Sequence, residues 1–261
     1  MWKAIFFCDV DGTLIPPGEI RPSSSLLALM REAPERGYLF CITSGRMYCS
    51  VKDSFGSVED VALFSCSNGG SVFAQGKPLP GSLSVPLALV GEIGAETKRR
   101  GDTLLAACGD VLYLMGTYSP FLQGLLVAQG TDPVLISSIS ELPSDPEQLT
   151  VVAEKNHAGE LSFFKKFLEG KLSVVVSGEN LIDMSPADKG RTVRSVCSYY
   201  DVPISHSVAF GDTENDVAML RSAHIGYVME SGNEAVKKLF PHHTSDLERT
   251  VRDIMDGKIP L

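Results

Sequence analysis

The class predicted for this 261-residue chain is α/β: a Rossmann-like, doubly wound parallel sheet carrying an inserted α/β domain. Three observations carry that prediction. Short, continuous apolar runs end abruptly in polar residues or glycine. Stretches with helical spacing lie between them. Two Pro/Gly-containing connectors bracket a middle segment that has strand and helix signals of its own. Unbroken apolarity suits strands covered on both faces, and strand–helix alternation suits crossover connections in a parallel sheet.

In chain order, the strand signals of the outer segments are "KAIFFC" before Asp9, "YLFCI" before Thr43, "VALFSC" before Ser67 and "SVAF" before Gly211. The first helix, "SSSLLALMRE" (23–32), opens on serines and lines up Leu26, Leu29 and Met30; Pro34 should kink or stop it. "MYCSVKDSF" is helical, and "SNGG" (67–70) is a hairpin signal between two β-like runs. "RTVRSVCSYY" (191–200), "NDVAMLRSA" (215–223) and "NEAVKKLF" (233–240) read as helices. Between "QGKPLPG" (75–81) and "SPADKG" (185–190), "LALVGEIGAETKRRG" and "AGELSFFKKFLEG" are helical, while "DVLYLMG" and "LTVVAE" are strand-like. "LSVVVSGENLIDMS" should form a hairpin turning at Gly178–Asn180. The division expected is a core of 1–81 and 185–261 with an inserted domain at 82–184.

With 44% hydrophobic and 21% charged residues the chain can bury a core, which excludes disorder. A net charge of -9, with no basic cluster longer than "KRR" (98–100), argues against nucleic acid as partner. A local cation can still hold an anionic small molecule, because screening confines the acidic balance to about 10 Å. The six cysteines form no C-x-x-C and read as reduced, buried thiols of a cytoplasmic protein. The N-terminus lacks a signal peptide's apolar region, and no apolar run approaches the ~20 residues of a membrane span.

Four short motifs carry the chemistry. In "DVDGT" (9–13), Asp9 and Asp11 would stand side by side at the end of a strand, with Gly12 allowing a sharp turn and Thr13 pinning it by a side-chain hydrogen bond. The plain alternative is an Asx turn. In "TSGR" (43–46), Ser44 and Gly45 before a helix offer a hydroxyl and backbone N–H groups to a phosphate; read alone, the motif is an ordinary serine cap, and Arg46 either reaches a substrate or sits on the surface. Lys189 of "SPADKG" would, taken alone, be a solvated lysine, yet there it could neutralise both a phosphoryl group and an aspartate. In "GDTENDVAML" (211–220), Asp212, Asn215 and Asp216 exceed what a cap needs, although Thr213 and Asp216 resemble a capping box. Asn68 would lie on the same edge, whereas His242 and His243 read as a solvated loop.

Ligands of open parallel sheets bind beyond the carboxyl ends of the strands, so Asp9, Asp11, Ser44 and Asp212 should converge. Clustered carboxylates repel one another unless a cation joins them, and oxygen-only ligands point to Mg²⁺.

"DVDGTL", "TSGR", "SNGG", the lysine of "DKG" and "GDTENDVAML", in this order and with this insertion, resemble the haloacid dehalogenase superfamily, specifically its Cof-type, sugar-phosphatase-like branch with an α/β cap. The resemblance spans nearly the whole chain; Ser44 stands where the family usually has threonine. It implies Asp9 as nucleophile and Asp11 as acid and base. Mg²⁺ would be held by Asp9, the Asp11 carbonyl and Asp212, with Asn215 and Asp216 supporting. Ser44, Gly45 and Lys189 would hold the phosphoryl oxygens. The implied activity is hydrolysis of small phosphomonoesters such as sugar phosphates, on a phosphorylated metabolite as partner. A sugar phosphomutase shares the architecture but needs cap cations for a second phosphate, with Lys98, Arg99, Arg100, Lys155, Lys165, Lys166 and Lys171 as candidates. A phospho-aspartate signalling module is the more distant rival.

Overall fold

A computed structural model describes residues 2–128 and 130–261. The first five strands are β1 (Ala4–Asp9), β2 (Tyr38–Thr43), β3 (Leu63–Cys66), β4 (Ser71–Ala74) and β5 (Lys77–Pro78). Six follow in the middle: β6 (Thr103–Cys108), β7 (Val111–Met115), β8 (Val134–Leu135), β9 (Gln148–Val152), β10 (Ser173–Gly178) and β11 (Leu181–Ser185). The last three are β12 (Ser207–Gly211), β13 (Ile225–Met229) and β14 (His242–Thr244).

They form two sheets. The first has eight strands in the order β14-β13-β12-β1-β2-β3-β4-β5, parallel from β14 to β3 and closed at the other edge by antiparallel β4 and β5. Every residue of β1 and β2 is buried, and their side chains alternate between two cores. Phe6, Cys8, Phe40 and Ile42 face one; Ile5, Phe7, Leu39 and Cys41 face the other. That two-sided burial is why these runs are apolar without interruption. At roughly 1.5–3 kcal/mol per large apolar side chain it makes the central strands the rigid frame of the molecule.

The second sheet has six strands, β10-β11-β9-β6-β7-β8, antiparallel except for the β7–β8 pair. Its alternation is of a different kind. One face, with Leu104, Ala106, Leu149, Val151, Ile182 and Met184, packs against helices Leu87–Arg100 and His157–Phe167. The other face carries Leu105 and Val152 and meets helix Pro120–Ala128 through Leu122 and Leu126.

The first helix ends at Glu32 and tightens into a 3₁₀ turn over Ala33–Arg36, as Pro34 requires. Residues 67–70 join β3 to antiparallel β4, with Asn68 at φ 53°, and the Gly178–Asn180 turn joins β10 to β11. Two expectations need correction. The helix expected over 233–240 is only Glu234–Lys237. Pro241 biases Phe240 away from helical backbone and ends it. His242 and His243 are not in a loop; they form β14 at the sheet edge, paired with β13 and exposed. Helix Pro120–Ala128, strands β6 and β13 and the two-residue strands β5 and β8 were not anticipated. All six cysteines are free, five buried and Cys49 half-buried. No helix among the described residues is long and apolar enough to cross a membrane.

Candidate active site

The carboxyl ends of β1, β2 and β12 lie side by side, since Asp9 is in register with Thr43, and Cys8 with Phe210 one residue before Gly211. Lys189 begins helix Lys189–Tyr199, capped by Asp188, and its side chain runs under this edge with 1% exposure. Its Nζ donates to Asp9 Oδ1 and, at 2.6 Å, to Asp216 Oδ1. A buried ammonium is costly unless paired; here two buried carboxylates compensate it. Burial alone would lower the Lys189 pKa, but Asp216 and Asp9 outweigh burial and raise it.

Asp216 also works through its second oxygen. Oδ2 accepts from the backbone N–H of Asp212 at 3.0 Å and of Thr213 at 3.1 Å, which completes a capping box with Thr213. The cap and the charge cluster are therefore the same residue. Asp9, Asp212 and Asp216 bring carboxylate oxygens within 4.8 Å of one another. Burial first, then Asp216, pushes the Asp9 carboxyl well above its usual range, while Lys189 pulls it back. Burial and then Asp216 push the half-buried Asp212 up to about 7. Asp212 Oδ1 is buried and has no hydrogen-bond partner among the described residues.

The turn after β1 differs from expectation in two ways. The chain does not stay extended through Asp11: Val10 O accepts from the N–H groups of Thr13 (3.3 Å) and Ile15 (2.9 Å), and Ile15 O accepts from Gly12 at 2.9 Å. The Asp11 carboxylate lies outside the cluster formed by Asp9, Asp212 and Asp216. It is paired instead with Arg46, whose Nε donates to Oδ2 at 3.0 Å and whose terminal nitrogen donates to Oδ1. Nor does Thr13 pin the turn: it is buried, and Oγ1 has no partner among the described residues, because backbone bonds already close the loop. Gly12, at φ +88°, lies so close that a Cβ there would run into the Asp212 carboxylate.

The Ser44–Arg46 loop is clamped by the hairpin beside it. Ser44 N–H donates to Ser65 O at 2.8 Å, Asn68 N–H to Ser44 O at 3.0 Å and Ser67 N–H to Arg46 O at 3.0 Å. Ser44 Oγ accepts from the Arg46 N–H at 3.1 Å. Asn68 extends the clamp to the second sheet, as Nδ2 donates to Gln148 Oε1 (3.0 Å) and Asp183 Oδ2 (3.1 Å). Gln148 Nε2 returns to Gly45 O at 3.1 Å, and Thr150 Oγ1 donates to Asp183 Oδ1 at 2.7 Å. Asn215 stands at the cleft mouth, accepting from Thr213 Oγ1 at 2.7 Å.

Between the sheets lies a cleft of ≈ 520 Å³, lined by Asp9, Asp11, Ser44, Gly45, Arg46 and Asn215 on one side. The other side is contributed by the second sheet and helix Pro120–Ala128. The structure thus brings Asp9, Asp212, Asp216 and Lys189 together, with Asp11, Arg46 and Ser44 around the same cavity. Gln148, Thr150 and Asp183 were not anticipated. The signal for Asp183 was visible: a lone carboxylate at the centre of the apolar strand "LIDMS".

A family profile of haloacid dehalogenase-like hydrolases matches residues 6–249. The chain is 22% identical to the 5-amino-6-(5-phospho-D-ribitylamino)uracil phosphatase YbjI of Escherichia coli, covering 95% of this chain and 93% of that one. It is 24% identical to the pyridoxal phosphate phosphatase YbhA of the same organism, covering 91% of each. Its fold is similar to that of the subclass IIB sugar phosphatase BT4131, with TM-score 0.82 at 17% identity over 96% of this chain and 98% of that one. The chain belongs to the haloacid dehalogenase-like hydrolase family, in its Cof-type branch, and is a phosphoric monoester hydrolase.

Proposed function

We propose that this enzyme hydrolyses small phosphomonoesters with the help of Mg²⁺, through a phosphoryl group carried transiently on Asp9. One observation supports the reading above all: a buried carboxylate, Asp9, at the floor of a cleft, beside a buried lysine and a second carboxylate, Asp212, with an unpartnered oxygen. Lys189 engages one oxygen each of Asp9 and Asp216. Asp9 Oδ2 and Asp212 Oδ1 remain as an all-oxygen donor set, to which the Asp11 carbonyl would add. Such a set fits a hard divalent cation. When bound, Mg²⁺ would offset the mutual repulsion of these carboxylates and draw phosphoryl oxygens into the site.

The chain's own residues do the rest. Ser44 Oγ and the Gly45 N–H would fix the phosphoryl oxygens, with Lys189 adding positive charge below them. An Asp9 oxygen attacks phosphorus, the ester P–O bond breaks, and the leaving oxygen takes a proton from Asp11. Water then attacks the same phosphorus and gives its proton to Asp11, the bond to Asp9 breaks, and phosphate departs. In this structure the Arg46 guanidinium holds both oxygens of the Asp11 carboxylate. The first step requires a protonated Asp11 released from that guanidinium.

The segment 82–184 would act as a cap that excludes bulk water and faces the leaving group. The relatives named above act on small phosphorylated metabolites. The mutase alternative lacks support, since none of the seven cap lysines and arginines expected to grip a second phosphate lines the cleft. Free, mostly buried thiols favour the cytoplasm as the place of action. A phosphate-release screen over phosphorylated metabolites with Mg²⁺, using Asp9→Asn as the blank, tests the reading. Asp11→Ala should impair alkyl phosphates far more than p-nitrophenyl phosphate, whose leaving group needs no proton; equal losses would remove Asp11 from the acid role.

A further inference from the structure

We infer that the cleft selects a leaving group that carries no second anionic group and turns an apolar face toward helix Pro120–Ala128. This rests on the phosphatase reading and narrows it. The period-two alternation of the second sheet sends Leu105 and Ala107 of β6, Gln148 and Thr150 of β9, and Leu181 and Asp183 of β11 into the cleft. These six are segregated. Gln148, Thr150 and Asp183 are tied to one another and to the Ser44–Arg46 side by the Asn68 and Gly45 bonds. Leu105 and Leu181 instead continue into Leu112, Phe121 and Leu125, an apolar patch with one aromatic ring.

Charge points the same way. Among the described residues, Arg46 is the one cation lining the cleft, and it is already paired with Asp11. The cap side adds two acids, Glu179 at the β10–β11 turn and buried Asp183. A second phosphate or carboxylate would thus meet acids and leucines where it needs lysine or arginine. A cleft of ≈ 520 Å³ leaves room beyond the phosphoryl group for a ring-sized substituent.

Initial rates of phosphate release with saturating Mg²⁺ should be compared for phenethyl phosphate, a hexose monophosphate and a hexose bisphosphate. The expected order of kcat/KM is phenethyl first by about tenfold, a difference within reach of one apolar contact surface, and the bisphosphate last. Phe121→Ala should raise KM for phenethyl phosphate about tenfold and KM for the hexose monophosphate by clearly less, and a thermal melt matching the wild type shows that the variant is folded. Leu112→Lys should raise kcat/KM for the bisphosphate. Preference for either hexose ester, or equal damage to both monoesters in Phe121→Ala, overturns the inference and leaves the phosphatase reading standing. If the wild type releases phosphate from none of the three while the metabolite screen finds a substrate, the inference alone falls; silence across the whole screen removes the proposed reaction as well.

Discussion

Replacing Lys189 by Met keeps the length and most of the volume of a fully buried side chain and removes only its charge and donors. Asp9 and Asp216, both buried, then face each other without the ammonium that each now touches. Breaking a buried ion pair by removing one partner costs about 3–5 kcal/mol, a large part of the roughly 5–15 kcal/mol that holds a domain together. Charge and packing can be told apart by pH. The Asp9 carboxyl is already raised by burial and by Asp216, and it rises further once Lys189 is gone. A raised carboxyl contributes stability that is present below the ordinary carboxylate range and lost as pH rises through the folded value. The penalty of Lys189→Met should therefore be full at about pH 7.5 and fall by at least half toward about pH 5. Urea unfolding of metal-free protein at both pH values measures it. A loss of the same size at both, or a loss under about 1 kcal/mol at the higher pH, would refute the reasoning, because packing rather than charge would then be the cause.

Three further outcomes follow from the same geometry. Asp212, held at about 7 by burial and Asp216, contributes stability at low pH that disappears as pH rises through neutrality. After a discount for partial exposure that is about 2 kcal/mol, so metal-free Tm should drop from about pH 5 to about pH 8 and Mg²⁺ should raise Tm more at the upper end; a pH-independent Mg²⁺ effect would contradict this. Gly12→Ala forces a side chain into φ +88° and against the Asp212 carboxylate. It should cost about 1–3 kcal/mol and erase the Mg²⁺ shift in Tm, and an unchanged thermal melt would show that the close approach is not real. Asn68→Asp, an isosteric change, turns the donor that serves Asp183 and Gln148 into a second acid. It should lose about 2 kcal/mol at neutral pH and regain most of it in acid; urea midpoints that do not move with pH would argue against the contact.

Much of the frame was legible because its signals are local. Unbroken apolarity announced β1 and β2 as buried on both faces, and the acids or hydroxyls at strand ends marked the edge where a site could form. Lys189 was not legible alone: a single lysine before a helix has no pattern, and only the sheet, joining residues 180 positions apart, shows it bound to Asp9. The same limit hid the Arg46–Asp11 pair, which depends on the turn after Val10 rather than on the i, i+2 rule for an extended chain. For Asp216 the two sequence readings, cap and charge cluster, were treated as rivals, yet two carboxylate oxygens allow both at once. Helix Pro120–Ala128 escaped although Phe121, Leu122, Leu125 and Leu126 recur at helical spacing, because the run is only nine residues long and carries Gly124 in its middle.

In the proposed reaction Asp9 itself takes the phosphoryl group. Acid-quenched Asp11→Asn enzyme, mixed with a hydrolysable monoester and Mg²⁺, should yield a peptide spanning Asp9 that is heavier by one phosphoryl group, an adduct absent from Asp9→Asn. Steady phosphate release by the wild type with no such adduct under any quench, or undiminished turnover by Asp9→Asn, would contradict it.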